Sequence, residues 1–360
     1  MAIEIRPLVI PATLGTPEAV PFERMAELAI QIEIERWGDD RFAYTAPELL
    51  AMYQNTYHPR RVFAAWDDGR CVGRAVASWE DDPGAVTGDV IVEVAAPYRG
   101  AKLGSRLLAL GEEVIAGLGR RVFNGFIDYP LDVLDLPGPR LTAPQGDAWI
   151  PADLAGARFA TVHGYSLAQL ERQSRLTVAG RLDEFRAALA TYDDVASGYR
   201  IVGWTDHVPQ HLIDNYAAAR ARMALDVPAG ALTIDAEQWD AARVRSHEDQ
   251  AVESGRTLLV QAAIAPDGTI AGYTELELPP GKAVAYQADT LVVAAHRGRG
   301  LGMRMKLANL LRLGETAPDR PDVYTWNADE NEHMLAINIA LGFEPRGISA
   351  EWQRDVDVNG

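Results

Sequence analysis

Two stretches of the chain repeat one pattern of apolar and polar positions. Val90-Ile91-Val92-Glu93-Val94 is β-branched and reads as a strand. It leads into Pro97-Tyr98-Arg99-Gly100-Ala101-Lys102-Leu103-Gly104, after which Leu107, Leu108, Leu110, Val114 and Ile115 recur at helical spacing. Thr290-Leu291-Val292-Val293 leads in the same way into His296-Arg297-Gly298-Arg299-Gly300-Leu301-Gly302, followed by Leu307, Leu310 and Leu311. Downstream, each stretch reaches a helix closed by a glycine–aromatic pair, His163-Gly164-Tyr165 and Leu341-Gly342-Phe343. Arg99 to Gly164 spans 65 residues and Arg297 to Gly342 spans 45. The excess of 20 falls in Asp128–Pro151, whose five prolines exclude a helix interior and predict a long ordered loop or a lid.

In the second half the order of elements can be followed. A strand over Tyr199–Trp204 precedes helices over about Pro209–Met223 and Ala236–Ser254. Next come a hairpin (Thr257–Ala265 and Thr269–Leu278), turned at Pro266-Asp267-Gly268, and a strand over Ala283–Val293. Beyond the glycine turn and its helix lie a strand at Asp322–Trp326, a helix at Asn331–Leu341 and a last strand at Arg346–Arg354. The first half follows a similar order, and the boundary falls in Asp183–Gly198. The chain is therefore expected as two α/β (α+β) domains, 1–180 and 199–360, joined by a helix and turn over 181–198.

Composition narrows the class. The 360 residues exceed what a single core usually holds, and 48% hydrophobic content excludes a wholly disordered chain. No apolar run approaches a membrane span, and the start, Met1-Ala2-Ile3-Glu4-Ile5-Arg6, predicts no signal peptide. The single Cys71 excludes an intramolecular disulfide and any all-cysteine metal cluster, and the 7 histidines are scattered, so no metal is expected. These features predict a cytoplasmic protein. A formal charge of −17 opposes nucleic acid and anionic membranes as partners. Lysine occurs only at 102, 282 and 306, which reads as a compositional habit.

The glycine turns carry the chemistry. Glycine lets a ligand approach the backbone, and the helix that follows begins with unpaired N–H groups and partial positive charge, a site for a diphosphate. Gly298, Gly300 and Gly302 alternate with Arg297 and Arg299, which add two cations. No Gly-Lys-Ser or Gly-Lys-Thr follows, which argues against a P-loop. At least three strands precede the glycines, which argues against a dinucleotide-binding fold.

At these residues the chain resembles a known family. Arg297-Gly-Arg-Gly300-Leu-Gly302, after Val292-Val293, resembles the acetyl-CoA motif of the GCN5-related N-acetyltransferases (GNAT), and Asn331 with Leu341-Gly342-Phe343 resembles their second motif. The resemblance covers about 199–355 and, more faintly, 2–178. It implies two tandem domains, each a mixed, mostly antiparallel sheet flanked by helices, an architecture the mycothiol synthases share. It also implies transfer of an acetyl group from acetyl-CoA to a small-molecule or peptide amine by a monomer or homodimer. The alternative is a non-catalytic acyl-CoA sensor. In the first half, Lys102 replaces the central glycine, so catalysis is expected in the second.

By resemblance, the backbone of Leu291, Val292 and Val293 would meet the pantetheine arm. Arg297, Gly298, Arg299, Gly300, Leu301 and Gly302 would hold the diphosphate, and Asn331 would touch the cofactor. The tyrosine with which the family often protonates the leaving thiolate falls at Asn338, and an amide is no acid at neutral pH. Tyr324 or His333 could serve, though a strand tyrosine is equally a core residue. Asp289 sits two residues before Leu291 and is expected to share a face with it and with Val293, unless a bulge intervenes. It is the first candidate for the acceptor's proton, with Glu275 in reserve and Glu277 on the same face. Trp326-Asn327 lines either the acceptor pocket or the core.

Overall fold

In a computed structural model, residues 3–192 and 198–356 are described. In chain order the first elements are β1 (Glu4–Leu8), α1 (Val20–Trp37), α2 (Ala46–Tyr53), β2 (Arg60–Asp67), β3 (Arg70–Ser78), β4 (Thr87–Val94), α3 (Leu103–Gly117) and β5 (Val122–Pro130). A short hairpin, β6 (Arg140–Thr142) and β7 (Trp149–Pro151), leads to α4 (Ala155–Val162), β8 (Ser166–Thr177) and α5 (Leu182–Ala190). The order then repeats with β9 (Arg200–Thr205), α6 (Ile213–Asp226), α7 (Ala241–Glu253), β10 (Thr257–Ile264), β11 (Ile270–Leu278) and β12 (Val284–Val292). It closes with α8 (Leu301–Thr316), β13 (Asp322–Ala328), α9 (Glu332–Leu341) and β14 (Glu344–Asp355). The expected element types are present, with ends shifted by a few residues. The largest shift is in α7, which begins at Ala241, where Asp240 caps it by accepting from Arg243 N.

The chain folds as two compact units. One comprises Met1–Leu170, Ala229–Asp235 and Ile348–Gly360, the other Glu171–Pro228 and Ala236–Gly347. The units are thus not simply the first and last halves of the sequence. Of the expected boundary segment, residues 182–190 form α5, and residues 193–197 lie outside the described ones.

Each unit has the same sheet order. In the first, β1, β2, β3 and β4 pair antiparallel in sequence and β5 joins β4 in parallel. In the second, β9, β10, β11 and β12 repeat the meander and β13 joins β12 in parallel. Alternation along the strands divides each core between two faces. In the second unit Val260, Ala262, Tyr273 and Leu291 pack with α6 and α7. Leu259 and Leu276 pack with Leu307 and Leu310 of α8 on the other face.

The proline-rich insertion is a packed part of the first unit and not a lid. Ile150 is fully buried in one cluster with Phe123, Leu170 and Trp352, and Leu131, Val133 and Leu141 pack around it. Residues 229–235 are tied to the same unit by Asp235, whose carboxylate accepts from Val86 N at 2.9 Å, Thr87 N at 2.9 Å and Thr87 Oγ1 at 2.8 Å.

These assignments predict that residues 199–360 expressed alone do not fold. The fragment lacks Glu171–Thr177, which pairs with β13, while carrying two segments that belong to the first unit. In the full chain, Trp352→Ala should lower stability by about 3–5 kcal/mol, the usual cost of an aromatic cavity, measured by urea unfolding. A wild-type midpoint would refute the assignment of β14 to that core.

Candidate active site

The two glycine turns share one backbone. Gly298 and Gly300 have φ of 76° and 68°, and Gly100 and Lys102 have φ of 79° and 62°. Lys102 therefore holds the left-handed conformation of Gly300, at a cost of roughly 1–3 kcal/mol for a residue with a Cβ. The arginines brace the turn. Arg297 Nε donates to Val292 O at 3.0 Å and its Nη2 pairs with Asp226 at 3.4 Å. Arg299 Nη1 donates to Ala295 O at 3.1 Å. Arg99 makes the same strand contact, Nε to Val94 O at 2.9 Å. The sequence predicted two free cations for a diphosphate; the structure gives both a structural partner as well.

Beyond the turn, helix α8 starts with Leu301 buried, and a Cβ on Gly302 would stand 3.5 Å from Ile337 Cδ1. The amides of its first turn have no helical acceptor, as at any helix start. Immediately before the turn, β12 and β13 pair only from Val284↔Asp322 to Gln287↔Thr325, yet β12 runs to Val292 and β13 to Ala328. The strands part there, leaving the β13-facing edge of residues 289–292 open. The Leu291 side chain is in the core and Val292 and Val293 pack against it, so only their backbones are left for a ligand. Asn331 caps α9, its Oδ1 accepting from Met334 N at 3.2 Å.

A bulge lies next to this edge. Thr274 pairs with Thr290 and Leu276 with Gln287, so Ala288 and Asp289 together oppose Glu275. The bulge falls before Asp289, and Asp289 keeps the face of Leu291. Its carboxylate accepts from Tyr273 Oη at 2.8 Å and lies 3.6 Å from Arg220 Nη2.

Glu275 accepts from Tyr216 Oη at 3.0 Å and Arg220 Nη1 at 3.3 Å, and His247 Nε2 stands 3.7 Å away. The Arg220 guanidinium is buried under the Trp239 ring at 4.3 Å. Burial alone would raise the Glu275 pKa, but Arg220, His247 and Tyr216 outweigh it and bring the group to about 2. A carboxylate held that low takes up no proton at neutral pH, so the geometry argues against Glu275 as a base. Asp289 is the more open partner, its side chain 28% exposed.

The remaining candidates disperse. Tyr324 is buried where β12 and β13 are still paired, opposite Tyr286. His333 is exposed on α9. Glu277 pairs with Arg256 at 2.5 Å, and Trp326 stacks edge-on with Tyr286. The sequence reading missed Arg220, although Tyr216 and Arg220 stand four apart on one helix, a visible pairing signal. It also missed Lys306, dismissed with the other lysines, although it stands four residues after Gly302 on the buried side of α8.

In the first unit, carboxylates lie along the corresponding strands. Glu93 on β4 pairs with the buried Arg74 at 2.5 Å. Burial pushes Glu33 on α1 up to about 7 against the pull of Arg36, and burial also raises Asp128 on β5. Among the described residues, no group of three or more His, Cys, Asp or Glu could hold a metal, and no helix is long and apolar enough to cross a membrane.

Residues 22–124 match the model of the acetyltransferase (GNAT) family. None of the curated proteins matches the chain. Among solved structures, a tandem GNAT protein from the clavulanic acid biosynthesis pathway is 22% identical, with 100% of each chain covered and a TM-score of 0.71. A GCN5-related N-acetyltransferase from Sphaerobacter thermophilus is 15% identical, with 98% of this chain and 95% of that one covered and a TM-score of 0.58. These likenesses establish the tandem fold.

Arg220→Met should leave the buried Glu275 without its cation and destabilise the protein by about 3–5 kcal/mol near pH 7. The wild-type contribution of Glu275 is present above its ordinary value of 4.5 and lost as pH falls toward 2. The variant's deficit in urea unfolding should therefore shrink between pH 7 and pH 3. A deficit independent of pH would show that Arg220 acts only by packing.

Proposed function

We propose that this chain, a protein of the tandem GNAT type, is an acyl-CoA-dependent N-acyltransferase that moves an acetyl group from acetyl-CoA to an amine. The observation that carries the reading is the parting of β12 from β13 directly before a glycine turn and a helix N-terminus. An open strand edge offers backbone partners to an extended amide-bearing arm, and the turn offers amides to a diphosphate. Both suit coenzyme A, a group carrier that supplies the acyl group as a reactive thioester when bound. On this reading the backbone of Leu291, Val292 and Val293 holds the pantetheine. Gly298, Gly300, Leu301 and Gly302 hold the diphosphate with Arg297 and Arg299 beside them, and Asn331 offers its side-chain nitrogen.

Asp289 then receives the acceptor's proton, directly or through water, or holds its positive charge. Glu275 and Arg220 keep the floor of the site charged and ordered. Tyr324 is given no part, since it lies under the paired strands. The acceptor is a small-molecule or peptide amine, and the chain acts in the cytoplasm.

A second reading puts transfer in the first unit. It is favoured by Lys102 holding the backbone of Gly300 and by the titratable Glu33. Calorimetry with acetyl-CoA separates the two. Gly300→Glu should abolish binding if the second unit holds the cofactor, and Lys102→Glu should do so if the first does. Gly104→Glu is unsuitable, because a Cβ there would stand 3.2 Å from the Phe159 ring. Absence of binding in the wild type would end both readings.

In a turnover assay over a panel of amines, Asp289→Asn should lower kcat by about 10²-fold and flatten the acid limb of the pH profile, with acetyl-CoA affinity retained. Normal turnover at every pH would remove Asp289 from the mechanism, and the same assay on Glu33→Gln tests the first unit.

A further inference from the structure

Lys306 is a buried cation that none of these roles uses. It is 1% exposed, and burial pushes its ammonium down to about 7. Its Nζ donates to Asn338 Oδ1 on α9 at 3.3 Å and lies 5.9 Å from the Phe343 ring. No carboxylate is among its described contacts. Asn338, itself buried, donates through Nδ2 to Asn327 Oδ1 on β13. Asn327 lies past Thr325, where β13 has parted from β12. A polar chain thus runs from Lys306 through Asn338 to the wall of the cleft, in a layer otherwise built from Leu307, Leu310, Leu341 and Phe343. An ammonium buried without a counter-ion is costly, and it is retained where an anion arrives to meet it.

We infer that Lys306 is a positioning residue which, through Asn338, stabilises the thiolate released when the acyl group leaves coenzyme A. The inference rests on the second-unit reading given above. The amine nitrogen forms its bond to the acyl carbon, the carbon–sulfur bond breaks, and its electron pair goes to sulfur. The proton lost by the amine goes to Asp289 or water, and the thiolate later takes a proton from solvent. No proton donor is needed at Asn338. Its amide carries two hydrogens, of which Asn327 takes one, and the Lys306 bond to Oδ1 fixes the amide and polarises the other. α9 faces Lys306 with Asn338 and the following residues with Phe343, so the ammonium is the charge that acts on the site from this side.

The test reads ionisation of the coenzyme A thiol bound to the full-length protein, by its ultraviolet thiolate absorbance between pH 6 and 9. In the wild type the bound thiol should ionise about one pH unit below free coenzyme A, a roughly tenfold gain in thiolate at neutral pH, as expected for a nearby cation. In Lys306→Met the thiol should return to the free value, while the Kd for desulfo-coenzyme A stays within about threefold, because that analogue carries no sulfur charge. Urea unfolding without ligand checks the fold. Since the folded protein binds the Lys306 proton more weakly than the unfolded chain, the penalty is full below pH 7 and fades toward pH 10.5, and Lys306→Met should be the more stable protein below pH 7. A wild-type thiol that ionises like free coenzyme A, or a Lys306→Met protein that keeps the shift, overturns the inference. A Lys306→Met protein less stable at every pH also overturns it, by showing a structural role. If coenzyme A and desulfo-coenzyme A both fail to bind the wild type, the functional reading itself fails and the inference with it.

Discussion

A parallel strand pair normally continues until one strand ends, because each peptide group left off the ladder forfeits a hydrogen bond. In the second unit β12 and β13 stop after Gln287 and Thr325, although both strands go on. In the first unit β4 and β5 pair only from Thr87↔Val122 to Asp89↔Asn124. The rest of each site depends on that interruption. It opens a row of backbone donors and acceptors, and it aims the end of the strand at a turn whose own amides are unpaired. The bulge before Asp289 belongs to the same local distortion, since it re-aims the carboxylate while β12 remains paired to β11.

Around this opening, two buried cations are treated oppositely. Arg220 lies between two carboxylates under an aromatic ring and keeps its charge. Its delocalised guanidinium tolerates such burial, and its several donors satisfy Glu275 and Asp289 together. Lys306 has a single amide for a partner and sits where its charge is disfavoured. One cluster is electrostatically closed and makes a floor. The other is open and is completed by whatever anion enters the cleft.

The pairing of the units follows the same logic. Lys102 and Gly300 occupy one backbone conformation, and Arg99 and Arg297 make one brace. The turn is therefore conserved in shape between units whose side chains differ, and the strain carried at Lys102 is supported by the strand and helix that flank it. The carboxylates differ more. Those of the second unit are fixed by Arg220, whereas burial holds Glu33 and Asp128 of the first within reach of a proton.

Periodicity alone determined the strand and helix types, the internal repeat and the glycine turn, because each depends on neighbours within a few residues. Asp289, Leu291 and Val293 could be set on one face by alternation, and the bulge did not disturb this because it falls before Asp289. What α6 and α8 bring to the sheet was beyond local reading. Arg220 reaches Glu275 and Asp289 across 55 and 69 positions, and Lys306 meets Asn338 across 32. The Asp289 carboxylate looked like a lone base in sequence and is one arm of an ion-paired cluster in three dimensions. The return of 348–360 to the first unit and the packed prolines of 128–151 are equally non-local. A sequence pattern records which face of an element is apolar. Which polar side chain is buried, and beside what charge, is decided only when distant elements close over one another and remove water from between them.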